Sequence, residues 1–103
     1  MSSSPDLLID AALGRHPLRT VEAGGRRFSY RDSGAGQPVV LLHGIGSSSA
    51  SWIPLFDALP GFRLIGWDAP GYGESDALPA ARPRASDYGE ALRVFLGALG
   101  LEA

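Results

Sequence analysis

Cysteine is absent from this chain of 103 residues, which excludes disulfides, thiolate nucleophiles and thiolate metal sites. An excess of charge is also lacking, because the formal net charge is only −2. Nucleic acids and anionic membranes call for a basic surface, so neither is expected as a partner. No apolar run approaches the ~20 residues of a membrane-spanning helix, and no basic then apolar leader is visible at the N-terminus. We therefore expect a cytoplasmic protein.

Hydrophobic residues make up 45% of the chain, as in a globular protein. Residues 1–17 are expected to form an N-terminal extension, with a short helix over Asp6–Leu13. Residues 18–103 carry a stronger pattern. Strand-like segments at Leu18–Glu22 and Arg27–Tyr30 flank a turn that suits a β-hairpin. The sequence therefore predicts that the folded part opens with an antiparallel hairpin.

A strand, helix, strand, helix pattern follows this hairpin. Val39–Leu42 is a continuous apolar run, as in a strand that is covered on both faces, and Phe62–Trp67 predicts the next strand. Between them, apolar residues recur at helical spacing over Trp52–Leu59. Together these elements predict an α/β fold, in which an antiparallel hairpin precedes a βαβα unit with parallel strands.

The last predicted element is a helix near the end of the chain. Asp87 is expected to cap it, with Glu90 in the position of a capping box. Gly100 is expected to end it, because glycine readily takes the left-handed conformation that follows a helix.

Two glycine-rich loops follow the two predicted parallel strands. The first is His-Gly-Ile-Gly at residues 43–46, and the second is Asp-Ala-Pro-Gly-Tyr-Gly-Glu-Ser at residues 68–75. Glycine lets the backbone approach a ligand closely and adopt positive φ. As a pair at this separation, the loops resemble the front half of the α/β-hydrolase superfamily, which includes many esterases and lipases.

This resemblance implies that the first loop supplies a backbone N–H donor of an oxyanion hole. Ile45 is the first candidate donor and Gly46 is the alternative. Support of this loop is expected from residues of both motifs: His43, Gly44, Asp68 and Gly71. Trp52 and Tyr72 are candidate pocket-lining residues, although a tryptophan on a helix face is more often part of the core.

The resemblance places the nucleophile, the acid and the base outside this chain. The family's Gly-x-Ser-x-Gly elbow follows the next strand, which would begin after Ala103. No nucleophile is expected among the serines of the two loops: Ser47, Ser48, Ser49 and Ser75. Neither His16 nor His43 is assigned as the base, and neither has metal-ligand spacing, so no metal and no cofactor is implied.

A complementary chain is therefore expected as the partner, forming a heterodimer in which it carries the elbow, the acid and the histidine. In the family the fourth strand lies between the second and the third. Val39–His43 would then be the open edge at which further strands join. Without that partner, residues 18–103 are expected to be an incomplete and inactive N-terminal half of a core domain.

Two other interpretations of the first loop stay open. Gly46–Ala50 resembles a degenerate nucleophile elbow. An elbow serine stands in a tight turn directly at the end of a strand, whereas here Gly44 and Ile45 intervene and three serines run together. The Gly44-x-Gly46-x-x-Ser49 pattern, with Asp68 after the next strand, imitates a dinucleotide-binding unit. Against that unit, serine replaces the third glycine and a hairpin precedes the first parallel strand.

The leading hypothesis is a hydrolase of a carboxylic ester or a similar acyl compound that uses a serine nucleophile. This chain would supply the oxyanion-hole loop, and the substrate would be a small molecule. The same fold with dehalogenase, epoxide hydrolase or cofactor-free peroxidase chemistry is an alternative. A non-catalytic remnant is a third possibility.

Overall fold

A computed structural model of the protein describes residues 14–44 and 46–101. The helix predicted over Asp6–Leu13 and the candidate donor Ile45 lie outside these residues. The elements are β1 (Arg19–Ala23), β2 (Arg26–Gly34), β3 (Gln37–Leu41), a 3-10 turn (Ser49–Trp52), α1 (Ile53–Ala58), β4 (Phe62–Trp67) and α2 (Ala85–Ala98). In the two described ranges, no helix has the length and apolar character needed to cross a bilayer.

The strands form a mixed sheet in the order β1-β2-β4-β3. β2 pairs antiparallel with both β1 and β4, whereas β3 and β4 are parallel. The predicted α/β architecture is therefore confirmed. Because β3 and β4 run in the same direction, the two glycine-rich loops that follow them leave the same edge of the sheet.

The central strand β4 is buried on both faces, because alternate side chains of a strand project to opposite sides. On one face, Leu64 packs with Ile53 of α1. On the other face, Ile65 and Trp67 pack with Phe95 of α2. This double cover makes β4 a fixed platform for the loop that follows it.

β2 is longer than the predicted segment Arg27–Tyr30, because it continues along β4 as far as Gly34. Its last residues are polar, so no apolar pattern marks them as a strand. Arg63 of β4 stabilises this part through two hydrogen bonds to the Asp32 carboxylate, at 2.7 and 3.1 Å. Cross-strand charge pairing replaces apolar packing at this end of the sheet.

The prediction that Asp87 caps the start of α2 is wrong by three residues, because Arg84 is the N-cap. The helix begins at Ala85, and Asp87 lies within its first turn, where its carboxylate accepts the Arg84 N–H at 2.7 Å. Glu90 instead pairs with Arg93, one turn further along the helix. The carboxylate that satisfies the first backbone donor therefore reaches back from inside the helix.

The predicted end of α2 at Gly100 is confirmed. Gly100 has φ +76°, and its N–H donates to the Gly97 carbonyl at 3.0 Å. The next N–H, that of Leu101, donates to the Leu96 carbonyl at 2.8 Å. These two bonds satisfy carbonyls that the end of a helix would otherwise leave unpaired.

Candidate active-site loops

Asp68 joins three parts of the fold directly after β4. The residue is only 1% exposed. Its Oδ1 accepts the backbone N–H of Ser49, at the start of the 3-10 turn, over 2.6 Å. Its Oδ2 accepts the hydroxyl of Ser29, on β2, over 2.5 Å. A buried carboxylate needs such partners, and here they fasten the loop after β3 to the sheet.

Two buried serine hydroxyls extend this arrangement. Ser29 Oγ accepts the Glu74 N–H at 2.9 Å. The Ser29 N–H donates to Ser75 Oγ at 2.8 Å, and the Ser75 hydroxyl donates to the Asp68 carbonyl at 2.7 Å. We call this set the Asp68 network; it consists of the side chains of Asp68, Ser29 and Ser75 with the N–H groups of Ser49 and Glu74.

Gly73 is the glycine that leaves room for the Asp68 carboxylate. It has φ +52°, and a Cβ built there would overlap the carboxylate. Gly71, which the sequence singled out for loop support, has φ +87° and no atom closer than 3.9 Å to such a Cβ. Positive φ therefore favours glycine at both positions, but close approach to Asp68 demands it only at Gly73.

His43 fastens the other end of the loop after β3. Its Nδ1 lies 2.8 Å from the Gly44 carbonyl, to which it donates. Its Nε2 then accepts the Ala69 N–H, at 3.0 Å. This pair of bonds fits the neutral ring with its proton on Nδ1. Because Nε2 is occupied by a backbone donor, His43 ties two loops together and has no free nitrogen to act as a base.

Between these two attachments the described backbone is open to solvent. Gly44 and Gly46 are both exposed, and Gly46 has φ +78°. The Ser47 N–H donates to the Gly44 carbonyl at 3.1 Å. The loop is therefore anchored at its ends, and its two glycines are accessible to solvent.

The serines of this loop do not have the geometry of a nucleophile elbow. Ser48 Oγ accepts the Ala50 N–H at 3.3 Å and so caps the 3-10 turn. Ser49 is buried, with its N–H on Asp68. A nucleophile elbow is a sharp, strained turn. Across the described ranges, only glycines have positive φ.

An apolar groove of about 410 Å³ lies beside the loop on the α2 face of the sheet. It is lined by Leu42, His43, Gly44, Trp67, Ala69, Tyr72 and Tyr88. Tyr72 contacts the ring of His43 edge-on, with 5.0 Å between ring centroids. Trp52 is not among the lining residues, because it packs in the core beneath α1, against Gly66.

Arg31 is a partly buried cation that interacts electrostatically with Asp68. Burial lowers the pKa of its guanidinium, and the Asp68 carboxylate opposes that shift. The guanidinium also donates to the His16 carbonyl at 2.5 Å. Arg31 therefore places a cation on β2, opposite Gly66 of β4, where it compensates the buried carboxylate.

Sequence analysis missed Ser29 and Gly73 as parts of this site. Ser29 does carry a signal, since it is a small hydroxyl residue between Phe28 and Tyr30 in a strand. That alternation places its side chain on the face opposite the two aromatic rings. Its contact with Asp68 depends on which strand lies next to β2, which the sequence of β2 does not encode.

Comparison with known proteins decides the family. A family model described as the alpha/beta hydrolase fold matches residues 37–103. The chain belongs to the α/β hydrolase family. This membership overturns the dinucleotide-binding interpretation. The geometry agrees, because Asp68 is 1% exposed with both carboxylate oxygens bonded inside the protein, so it is not available to a ribose.

The relatives of this α/β hydrolase chain are hydrolases. It is 37% identical over 92 residues to a haloalkane dehalogenase from Sphingobium indicum, covering 85% of this chain and 31% of the relative. It is also 37% identical over 100 residues to a 2-hydroxy-6-oxononadienedioate/2-hydroxy-6-oxononatrienedioate hydrolase from Paraburkholderia phymatum. That match covers 90% of this chain and 34% of the relative.

A solved structure shows the same fold. The chain superposes on an epoxide hydrolase from Vigna radiata with a TM-score of 0.77 and 26% identity, covering 86% of this chain and 30% of that one. The chain thus spans about a third of the length of the relatives it matches.

Proposed function

We propose that this chain forms the oxyanion-hole portion of an α/β hydrolase that cleaves a carboxylic ester or a similar acyl compound. The observation that carries this proposal is the loop after β3. His43 bonds one end to Ala69, and the Ser49 N–H bonds the other end to Asp68. The glycines between these attachments are exposed.

This construction suits the stabilisation of a negative charge that develops during a reaction. Oxyanion stabilisation needs backbone donors whose positions are fixed before the reaction begins. Anchoring both ends of a short loop fixes its middle, and glycine neighbours let an acyl group approach the backbone. The donor is the N–H of Ile45 or, in its place, the N–H of Gly46.

Further polypeptide supplies the nucleophile, the acid and the base in this proposal. Within the described residues, β3 has a strand neighbour on one side only, β4. Leu42, directly after β3, is 52% exposed, and it borders the apolar groove. A parallel edge strand with apolar side chains favours cover by more strands and helices. Without that cover, the chain is expected to be inactive.

The additional polypeptide can be tested by mass. Native mass spectrometry and size-exclusion of the protein from its own host should show this chain joined to further sequence, in one longer polypeptide or in a complex. A well-dispersed species with the mass of this chain alone, stable in dilute solution, would contradict the proposal.

A second candidate is the same fold with haloalkane dehalogenase or epoxide hydrolase chemistry, which the names of the relatives favour. A substrate panel separates the candidates. It should contain aryl esters, a vinylogous 1,5-diketone, a haloalkane and an epoxide. Turnover of the ester or the diketone supports acyl chemistry, whereas turnover of the haloalkane or the epoxide alone supports the second candidate.

A serine-directed fluorophosphonate probe tests the mechanism on the active protein. The proposal expects one covalent adduct, on a serine outside the two loops described above. Peptide mapping should find the loop serines unmodified: Ser47, Ser48, Ser49 and Ser75. An adduct on any of these four would overturn the assigned role of this chain.

A further inference from the structure

We propose that Ser29 is a positioning residue, which acts through Asp68 to set the oxyanion-hole loop. This inference rests on the proposed function, since it assigns a role within the same site. Ser29 lies on β2, separated from β3 by the whole width of β4. Its influence on the loop after β3 must therefore pass through another side chain.

Ser29 is completely buried, with 0% exposure, and all of its hydrogen-bonding groups are used. Its backbone N–H and carbonyl bond to Ser75 Oγ and to the Asp68 N–H, each at 2.8 Å. Its hydroxyl donates to Asp68 Oδ2 and accepts the Glu74 N–H. The hydroxyl proton is directed at the carboxylate, at 2.5 Å, because the other oxygen within reach, Ser75 Oγ, is 3.4 Å away.

That direction decides how the Asp68 carboxylate is turned. The final torsion of an aspartate side chain is soft, so its hydrogen bonds fix the orientation. Ser29 holds Oδ2, and this leaves Oδ1 facing the Ser49 N–H. Gly73 lies against the carboxylate and limits its rotation. Removing the hydroxyl frees Oδ2 to turn, and the bond from Oδ1 to Ser49 weakens with it.

The first test is amide hydrogen exchange at Ser49, measured by NMR on the complete protein that contains this chain. Ser29→Ala should speed exchange of the Ser49 N–H about tenfold, as expected when a charge-assisted hydrogen bond is weakened. Ser33→Ala is the matched control, because it removes a hydroxyl from the same strand outside the Asp68 network. It should leave this exchange unchanged.

The second test is steady-state kinetics with the substrate identified for the complete enzyme. Ser29→Ala should lower kcat by about 10- to 100-fold, the range for a misplacement of the catalytic geometry by up to ~1 Å. KM should change little, because the donor acts in the transition state. Ser33→Ala should keep the wild-type kcat.

The outcomes separate this proposal from the function on which it rests. Wild-type exchange at Ser49 in Ser29→Ala overturns the proposal whatever the enzyme catalyses. Faster exchange with an unchanged kcat also overturns it, because catalysis would not depend on the position that Ser29 gives to the loop. If the loop holds no oxyanion donor, the proposed function is refuted, but the effect of Ser29→Ala on exchange of the Ser49 N–H still stands.

A more conservative variant covers the case in which Ser29→Ala does not fold. Ser29→Cys nearly keeps the side-chain volume and offers a weaker donor. We expect Ser29→Cys to speed exchange of the Ser49 N–H and to lower kcat, each by less than Ser29→Ala does. A folded Ser29→Cys protein with wild-type values of both would contradict the proposal.

Discussion

Both glycine-rich loops leave the carboxyl ends of neighbouring parallel strands, yet they are attached differently. The loop after β4 is bonded to β2 at both ends, where the N–H groups of Asp68 and Asp76 donate to the Ser29 and Arg27 carbonyls, each at 2.8 Å. The loop after β3 is attached to the loop after β4 instead, at Ser49 and at His43, and the glycines between these two points are exposed.

This difference indicates a division of labour. Most backbone N–H groups of the loop after β4 are hydrogen-bonded within the protein, so this loop can position a neighbour. The loop after β3 depends on that neighbour, since both of its attachments end on Asp68 or Ala69. Its exposed backbone is thereby kept in place without being covered, as an oxyanion donor requires.

The largest expected effect comes from removing the shared attachment. Asp68→Ala leaves the Ser49 N–H and the Ser29 hydroxyl buried without an acceptor. The free energy of unfolding should fall by about 2–5 kcal/mol, as expected for two unsatisfied buried donors. Urea or thermal unfolding of the complete protein measures it. Asp68→Asn keeps one acceptor oxygen, so its free energy of unfolding should fall by less than that of Asp68→Ala. Equal losses in the two variants would contradict this account.

Gly73→Ala places a methyl group against the same carboxylate, from the loop after β4. The positive φ alone should cost about 1–3 kcal/mol of stability, and the overlap with Asp68 adds to it. Gly89→Ala is the control, because Gly89 lies in α2 with open space around it. That variant should gain about 1 kcal/mol from helix propensity. If Gly73→Ala left the stability unchanged, the Asp68 carboxylate would not be confined by Gly73.

His43→Ala removes the other attachment and leaves the Ala69 N–H without its acceptor. Stability should fall by about 1–3 kcal/mol, and kcat should fall with it because the loop is freed at one end. Tyr72→Phe keeps the edge contact with the His43 position and should change stability by less. If His43→Ala retained full activity, the loop would not need two anchors.

The surface cluster of Asp57 with Arg15 and His16 should have the smallest effect. The hydrogen bond from Arg15, followed by that from His16, lowers the pKa of the Asp57 carboxyl. A lowered folded-state pKa contributes stability above the unfolded value, about 3.9, and loses it as pH falls through the folded value. The stability difference between wild type and Asp57→Asn should therefore disappear in acid, and it should shrink in high salt.

Much of this fold could be predicted from local patterns. Phe62–Trp67 matches β4 in full, because large apolar residues concentrated between a Pro-Gly turn and a glycine-rich loop mark a strand. Gly100 marks the end of α2 through its backbone conformation. The polar end of β2 could not be predicted, since its pairing with β4 is a long-range contact without an apolar signal.

The site divides in the same way. His43, Asp68, Gly44, Gly46 and Gly71 could be singled out because their motifs follow predicted strands, whereas the role of Gly73 could not. Ser29 could not, because the family's strand order places β2 beside β4 but does not give the register that brings the Ser29 hydroxyl to Asp68. Trp52 has the pattern of a core residue, and it lies in the core beneath α1. Ile45 stays a prediction, outside the described residues.

The most direct test of the account removes single backbone donors without changing side chains. Replacing Ile45 or Gly46 by the corresponding α-hydroxy acid turns one amide into an ester and deletes one N–H group. In the complete enzyme, one of these two replacements should lower kcat by about 10²–10³-fold, the usual effect of losing an oxyanion donor. KM should change little. The replacement at Ile45 also weakens the Gly44 carbonyl as the acceptor of His43 and Ser47, so a modest loss of thermal stability is expected there. Near-normal kcat in both proteins would contradict the claim that this loop holds the oxyanion hole.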